Sequence, residues 1–216
     1  MKAIVIGGSG ATGKFLVTHL LANSRYSTVV VLLRRAVFDP HPKLRQVLVD
    51  FDRLEQYTSE IGGDIAFSCM GTTLKAAGSK EAQWKIDYDY QFRFALLASQ
   101  QKIPCFVLLS AQGANAGASF FYMKVKGQLE EAIKALGFDK LLLVQPGMLE
   151  RPGTDRPMEK ISLALIKFFN RIGLFKSLAP VHVEVLAKAI ICKSLQLQEA
   201  VTIMKMEEIK QLSATT

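Results

Sequence analysis

Apolar residues crowd into short unbroken runs along the chain, at 3–6, 28–33, 46–49, 64–68, 104–109 and 140–145, most of them rich in Val, Ile, Leu and Phe. Runs of this kind, without polar alternation, indicate strands buried on both faces. Between them, the segments 12–23, 80–101 and 120–136 repeat their apolar positions with helical spacing. Strand and helix therefore alternate, and that β-α-β rhythm predicts a parallel, doubly wound α/β sheet.

The pattern changes after Pro146-Gly147. The stretch "LERPGTDRPMEK" has the prolines, glycine and charges of a loop, and helical spacing resumes at 159–171. A further helix at 181–195, a strand at 200–204 and a helix at 205–212 would return the chain to the sheet, ahead of a frayed "SATT". The expected organisation is a single domain over 1–216, in which 150–196 contributes a small C-terminal helical cap on the substrate side.

Composition narrows this picture only slightly. With 50% hydrophobic and 21% charged residues the chain is globular in character. The net charge of +8 would suit an anionic partner, but Lys and Arg are scattered, with no basic run beyond Arg34-Arg35. A nucleic-acid partner is therefore not expected, and no apolar run suggests an integral membrane segment. Met1-Lys2 leads directly into Ile4, without the charged, apolar and cleavage regions of a secretory leader, so the expectation is a cytoplasmic protein. Cys69, Cys105 and Cys192 are far apart and read as reduced, mostly buried thiols. No metal is expected, because His19, His41 and His182 show no ligand spacing with one another or with the cysteines.

The stretch "IVIGGSGATGKF" carries two overlapping phosphate motifs. A triphosphate loop needs Ser or Thr directly after its lysine to hold magnesium, and Phe15 follows Lys14. The dinucleotide spacing accounts for every glycine instead. Gly7 turns the chain off the strand, Gly10 lets backbone approach a pyrophosphate, and Gly13 lets the helix pack close. Ser9, Ala11 and Thr12 then complete the cofactor loop, with helix N-terminal amides facing the phosphates. Arg34 and Arg35 stand at the end of the second strand, where an NAD site would place a carboxylate on the ribose. A guanidinium there binds a 2′-phosphate, so the cofactor expected is NADP.

Candidate chemistry follows the fifth strand. Ser110 ends "VLLS", and Tyr122 and Lys126 stand four apart at the start of the next helix, about 40° apart around its axis. A carbonyl under reduction needs a proton as hydride arrives. Tyr122 would supply it, Ser110 would hold the carbonyl oxygen, and a cation at Lys126 would stabilise the charge left on the phenol and bind the cofactor ribose.

Taken in order, "GGSGATG", "CMGTT", "LLSAQGA", "YMKVKGQLE" and "QPGML" resemble the atypical branch of the short-chain dehydrogenase/reductase superfamily. Within it the chain is similar to the Tat-interacting-protein-like NADP-binding oxidoreductases, over about residues 3–195. The resemblance implies a Rossmann-type domain in which Asp50 and Phe51 border the adenine. It further implies that Gly71 and Thr72 line the cofactor and that Pro146 and Gly147 lie near the nicotinamide. Two positions depart from the family pattern. Gln145 replaces an arginine frequent before the proline, and Asp87 or Tyr90 stands near a frequent asparagine.

These readings converge on an NADPH-dependent oxidoreductase acting on a small carbonyl or quinone-like molecule, with a homodimer left open. The competing class is an NADPH-binding regulatory or interaction protein with little turnover.

Overall fold

The computed structural model describes residues 1–150 and 180–214. The apolar runs form one seven-stranded sheet from β1 (Lys2–Ile6), β2 (Thr28–Leu33), β3 (Leu44–Leu48), β4 (Ile65–Ser68), β5 (Cys105–Leu109), β6 (Lys140–Gln145) and β9 (Val201–Lys205). Their order is β3-β2-β1-β4-β5-β6-β9, and every pairing is parallel. A separate parallel pair joins β7 (Leu149–Glu150) to β8 (Val181–His182). The chain winds outward from β1 to β3, then crosses back to β4 beside β1. Such a reversal opens a crevice at the carboxyl ends of the strands, where open α/β sheets hold ligands.

In the five inner strands successive residues feed opposite cores, which is why their runs carry no polar alternation, whereas the edge strands β3 and β9 are largely half-buried or exposed rather than buried on both faces. Ala3 and Val5 of β1 join the core that includes Leu16, Val17 and Leu20 of α1 (Ala11–Ala22), Leu186 and Ile190 of α6 (Val183–Ser194), and Ile209 of α7 (Met206–Ala214). Ile4 and Ile6 join the other, with Phe94 and Ala98 of α4 (Tyr90–Gln100) and Leu129 and Ile133 of α5 (Phe121–Lys134). In that second core Phe106 meets Phe94 and Phe138 with ring centroids 5.9 and 4.9 Å apart. This is the Rossmann-type doubly wound arrangement.

The departures from the sequence expectation are local. The helix expected over 80–101 is α3 (Lys80–Trp84), a π turn over Lys85–Asp89, and then α4. A 3-10 segment over Phe51–Glu60 turns Phe51, Leu54 and Tyr57, three apart, toward the core, and the short α2 (Leu74–Ala77) buries none of its residues. The helix expected at 159–171 lies outside the described residues. Within the span assigned to the cap, the described α6 packs on α1, with His19 Nε2 3.4 Å from Glu184 Oε1.

Candidate functional site

The glycine loop between β1 and α1 is shaped by contacts that exclude side chains. Gly7 has φ +75, and a Cβ at Gly13 would lie 2.1 Å from the Gly7 carbonyl oxygen. The Gly10 amide donates to that same oxygen at 2.9 Å, closing the turn. Gly10 then caps α1 without a side-chain hydrogen bond, so the first-turn amides keep no side-chain partner. They face a cleft of about 690 Å³ lined by Gly10, Ala11 and Thr12. Backbone donors without a cap, at the positive end of a helix, fit a pyrophosphate. Lys14 is exposed and Phe15 packs on the core. Ser9 is exposed on the loop.

The remaining walls come from the segments following β4, β5 and β6 and from α5. Gly71, Thr72, Ser110, Tyr122, Lys126, Pro146 and Gly147 all line this one cleft, although they are spread over much of the chain. Ser110 is 5% exposed, and its Oγ has no hydrogen-bond partner among the described residues. Lys126 is 1% exposed, and its Nζ lies 6.0 Å from the Tyr122 ring centroid. Buried polar groups are nearly always paired, so the orphaned Ser110 Oγ opening on the cleft marks a place for a ligand. Helical spacing put Lys126 on the flank of α5, whereas the sheet and the π turn bury it almost completely.

Lys126 is held by Asp87, a role the sequence did not reveal. Asp87 Oδ1 lies 3.3 Å from Lys126 Nζ, close enough for an ion pair although not aligned as a hydrogen bond, and both side chains are at most 2% exposed. The same carboxylate accepts from the Thr72 amide at 3.2 and 3.4 Å. Tyr90 turns elsewhere, donating its hydroxyl to Asp52 at 3.0 Å. A signal did exist in the sequence. Gln83, Asp87 and Gln91 are each four apart and in phase with Ala95, and all four are buried. Polar residues on the inward stripe of a helix indicate a polar interior partner. At the departure before Pro146, Gln145 Nε2 donates 3.0 Å bonds to both carboxylate oxygens of buried Glu130.

Cys69 also lines the cleft, but burial pushes its thiol up to about 12 against the opposing pull of the Lys126 cation. It therefore stays a protonated packing group. His182 caps α6, accepting from the Glu184 amide at 3.3 Å, and meets Phe15 edge-on at 5.7 Å. Arg34 and Arg35 are exposed beyond β2, outside the cleft walls, and neither makes an ion pair among the described residues. Asp50 is exposed and accepts from the Asp52 amide at 2.9 Å, whereas Phe51 is 4% exposed and packs on Tyr90, with ring centroids 5.6 Å apart. No group of His, Cys, Asp and Glu that could hold a metal occurs among the described residues, and no helix there is long and apolar enough to cross a membrane.

Fold and cleft agree with the resemblance to the atypical branch of the short-chain dehydrogenase/reductase superfamily, and comparisons place the chain more closely. It is 35% identical to Protein HTATIP2 of Rattus norvegicus over 162 residues, covering 70% of this chain and 66% of that protein, just under two thirds of its length. It is 30% identical to the mitochondrial Protein FMP52 of Meyerozyma guilliermondii over 207 residues, covering 91% of this chain and 86% of that one. The chain belongs to this HTATIP2/FMP52 family. No protein-family model matches it. Among solved structures it resembles MoeE5 in complex with UDP-glucose and NAD, with a TM-score of 0.72 at 17% identity, covering all of this chain and 81% of that one. The oxidoreductase ylbE from Lactococcus lactis has a TM-score of 0.68 at 18% identity, covering all of this chain and 96% of that one. These two likenesses establish the fold.

The comparisons correct the expected compartment. The fungal relatives are named as mitochondrial, which overturns the cytoplasmic assignment. That assignment rested on the missing features of a secretory leader, which bear on one export route and do not discriminate among the other compartments.

Proposed function

We propose that the protein is an NADPH-dependent reductase of a small, uncharged carbonyl or quinone-like molecule. The observation that carries this reading is the convergence of orphaned Ser110 Oγ, Tyr122 and buried Lys126 on the cleft that the α1 amides enter. NADPH, when bound, supplies the hydride. Ser110 holds the substrate oxygen by donating a hydrogen bond, and Tyr122 delivers the proton that this oxygen needs as it gains charge. Lys126 stabilises the phenolate that remains and donates to the cofactor ribose. Gly7, Ser9, Gly10, Ala11, Thr12 and Gly13 form the pyrophosphate loop, and Gly71, Thr72, Pro146 and Gly147 flank the ribose and nicotinamide.

Arg34 and Arg35 project from the end of β2 without protein partners among the described residues, which supports a contact to the 2′-phosphate and hence NADPH over NADH. Asp50 and Phe51 belong to the adenine end in the same reading. On the substrate side, Met123, Met148 and Leu149 give apolar walls, and Lys126 is the only charged residue among the described lining residues. That lining favours a neutral substrate. The deciding experiment titrates NADPH and NADH by calorimetry, then assays reduction of simple quinones and aldehydes by wild type and Tyr122→Phe. Retained NADPH binding with lost turnover in the variant is expected. Equal turnover would remove Tyr122 as the proton donor.

A further inference from the structure

The Asp87–Lys126 pair differs in kind from pairs such as Arg45–Glu60, whose side chains are 59% and 22% exposed. Burying two charges is costly, and the attraction between them offsets that cost only where geometry and further hydrogen bonds are good. Here the carboxylate gains one such bond, from the Thr72 amide. The segment that carries Asp87 is itself fixed from both sides. Gln91 Nε2 donates to the Asp87 carbonyl at 3.0 Å, and Gln91 Oε1 accepts from Ser68 Oγ at 2.9 Å, at the end of β4. The π turn over Lys85–Asp89 is a local departure from regular helix, of the kind that recurs at functional sites.

We propose that Asp87 is a positioning residue: its carboxylate ties the Lys126 ammonium on α5 to the Thr72 amide after β4, and so sets the spacing of two cofactor-facing walls that no covalent neighbour fixes. This rests on the proposed assignment of the cleft to a nicotinamide nucleotide. Asp87 touches neither substrate nor cofactor and acts through its two partners.

The test is a double-mutant cycle with Asp87→Asn, Lys126→Met and the combined variant. It is read by NADPH affinity in calorimetry and by hydrogen exchange of the Thr72 amide in the protein without cofactor. Asp87→Asn keeps an acceptor for Thr72 and cancels the charge, so it should weaken NADPH at least tenfold while Thr72 stays protected. The combined variant should bind NADPH no more weakly than Lys126→Met alone. Asp87→Ala should in addition expose the Thr72 amide, raising its exchange at least tenfold. Full additivity of the two single losses, or an Asp87→Asn variant with wild-type affinity, would overturn the proposal. If a lone buried Lys126 prevents Asp87→Asn from folding, Asp87→Glu keeps the charge but moves the carboxylate by one methylene, and wild-type NADPH affinity in that variant would equally overturn it. A wild-type protein that binds NADPH but reduces no carbonyl would end the reductase reading and leave this cycle decisive, because its readouts need no turnover.

Discussion

The two ends of the proposed cofactor site are built differently. At the inner end Ser110, Lys126 and Asp87 are each at most 5% exposed and wedged between α5, the π turn and the strand ends. At the outer end, beyond the cleft walls, Arg34, Arg35 and Asp50 are exposed at the tips of β2 and β3. An inner group is placed before any ligand arrives, so its contribution is a matter of orientation in a medium of low dielectric. An outer arginine works in water and gains its geometry only by meeting an anion. The inner end should therefore respond sharply to atomic substitution and weakly to salt, and the outer end the reverse.

The largest expected effect lies at the inner end. Tyr122→Phe should lower kcat by roughly 10²–10⁴ while NADPH affinity stays within about twofold, measured by steady-state assay and calorimetry. Removing both Arg34 and Arg35 comes next. It should weaken NADPH by roughly tenfold to a hundredfold, the value of charge-assisted hydrogen bonds to a phosphate, and leave NADH nearly unchanged. The wild-type preference for NADPH should shrink as salt rises, and a preference indifferent to salt would place the phosphate contact away from these exposed guanidinium groups.

A third measurement probes burial itself. Cys69 and Cys105 are both pushed up to about 12 by desolvation, from the usual thiol value near 9. Each native thiol therefore keeps its proton where the unfolded chain has lost it. Stability is full below about pH 9 and falls as pH rises from there toward 12, by about 1 kcal/mol per thiol by pH 10. Thermal unfolding at pH 7 and pH 10 reads the slope, and Cys105→Ala should remove its share. A slope unchanged by that substitution would show that the Cys105 thiol is not as dry as its surroundings imply. The smallest effect belongs to the exposed Arg45–Glu60 pair, where Arg45→Ala should cost no more than about 0.5 kcal/mol in chemical denaturation.

Much of the site was legible because its parts obey local rules. Gly7 and Gly13 are dictated by a turn and a close approach within a few residues of one another, and Ser110, Tyr122 and Lys126 fall where a strand ends and a helix begins. Asp87 was hidden because its meaning depends on a partner from another helix. Its phase with Gln83 and Gln91 announced a buried polar stripe without saying what that stripe meets. Phe51 was assigned to the adenine end, and its ring packs in the core against Tyr90, on a 3-10 segment whose apolar Phe51, Leu54 and Tyr57 recur every third position, a spacing that neither the strand nor the α-helix period picks out.

Sequence alone determined the parallel doubly wound sheet, the glycine loop after its first strand and the candidate trio. Unbroken apolar runs admit few arrangements other than strands covered on both faces, and a glycine spacing records the steric demands of its own turn. Only the tertiary structure decided that Lys126 is buried, that Asp87 is its counterion and that Cys69 is a protonated spectator. Burial and charge pairing are properties of surfaces brought together across the chain, and no single segment carries them.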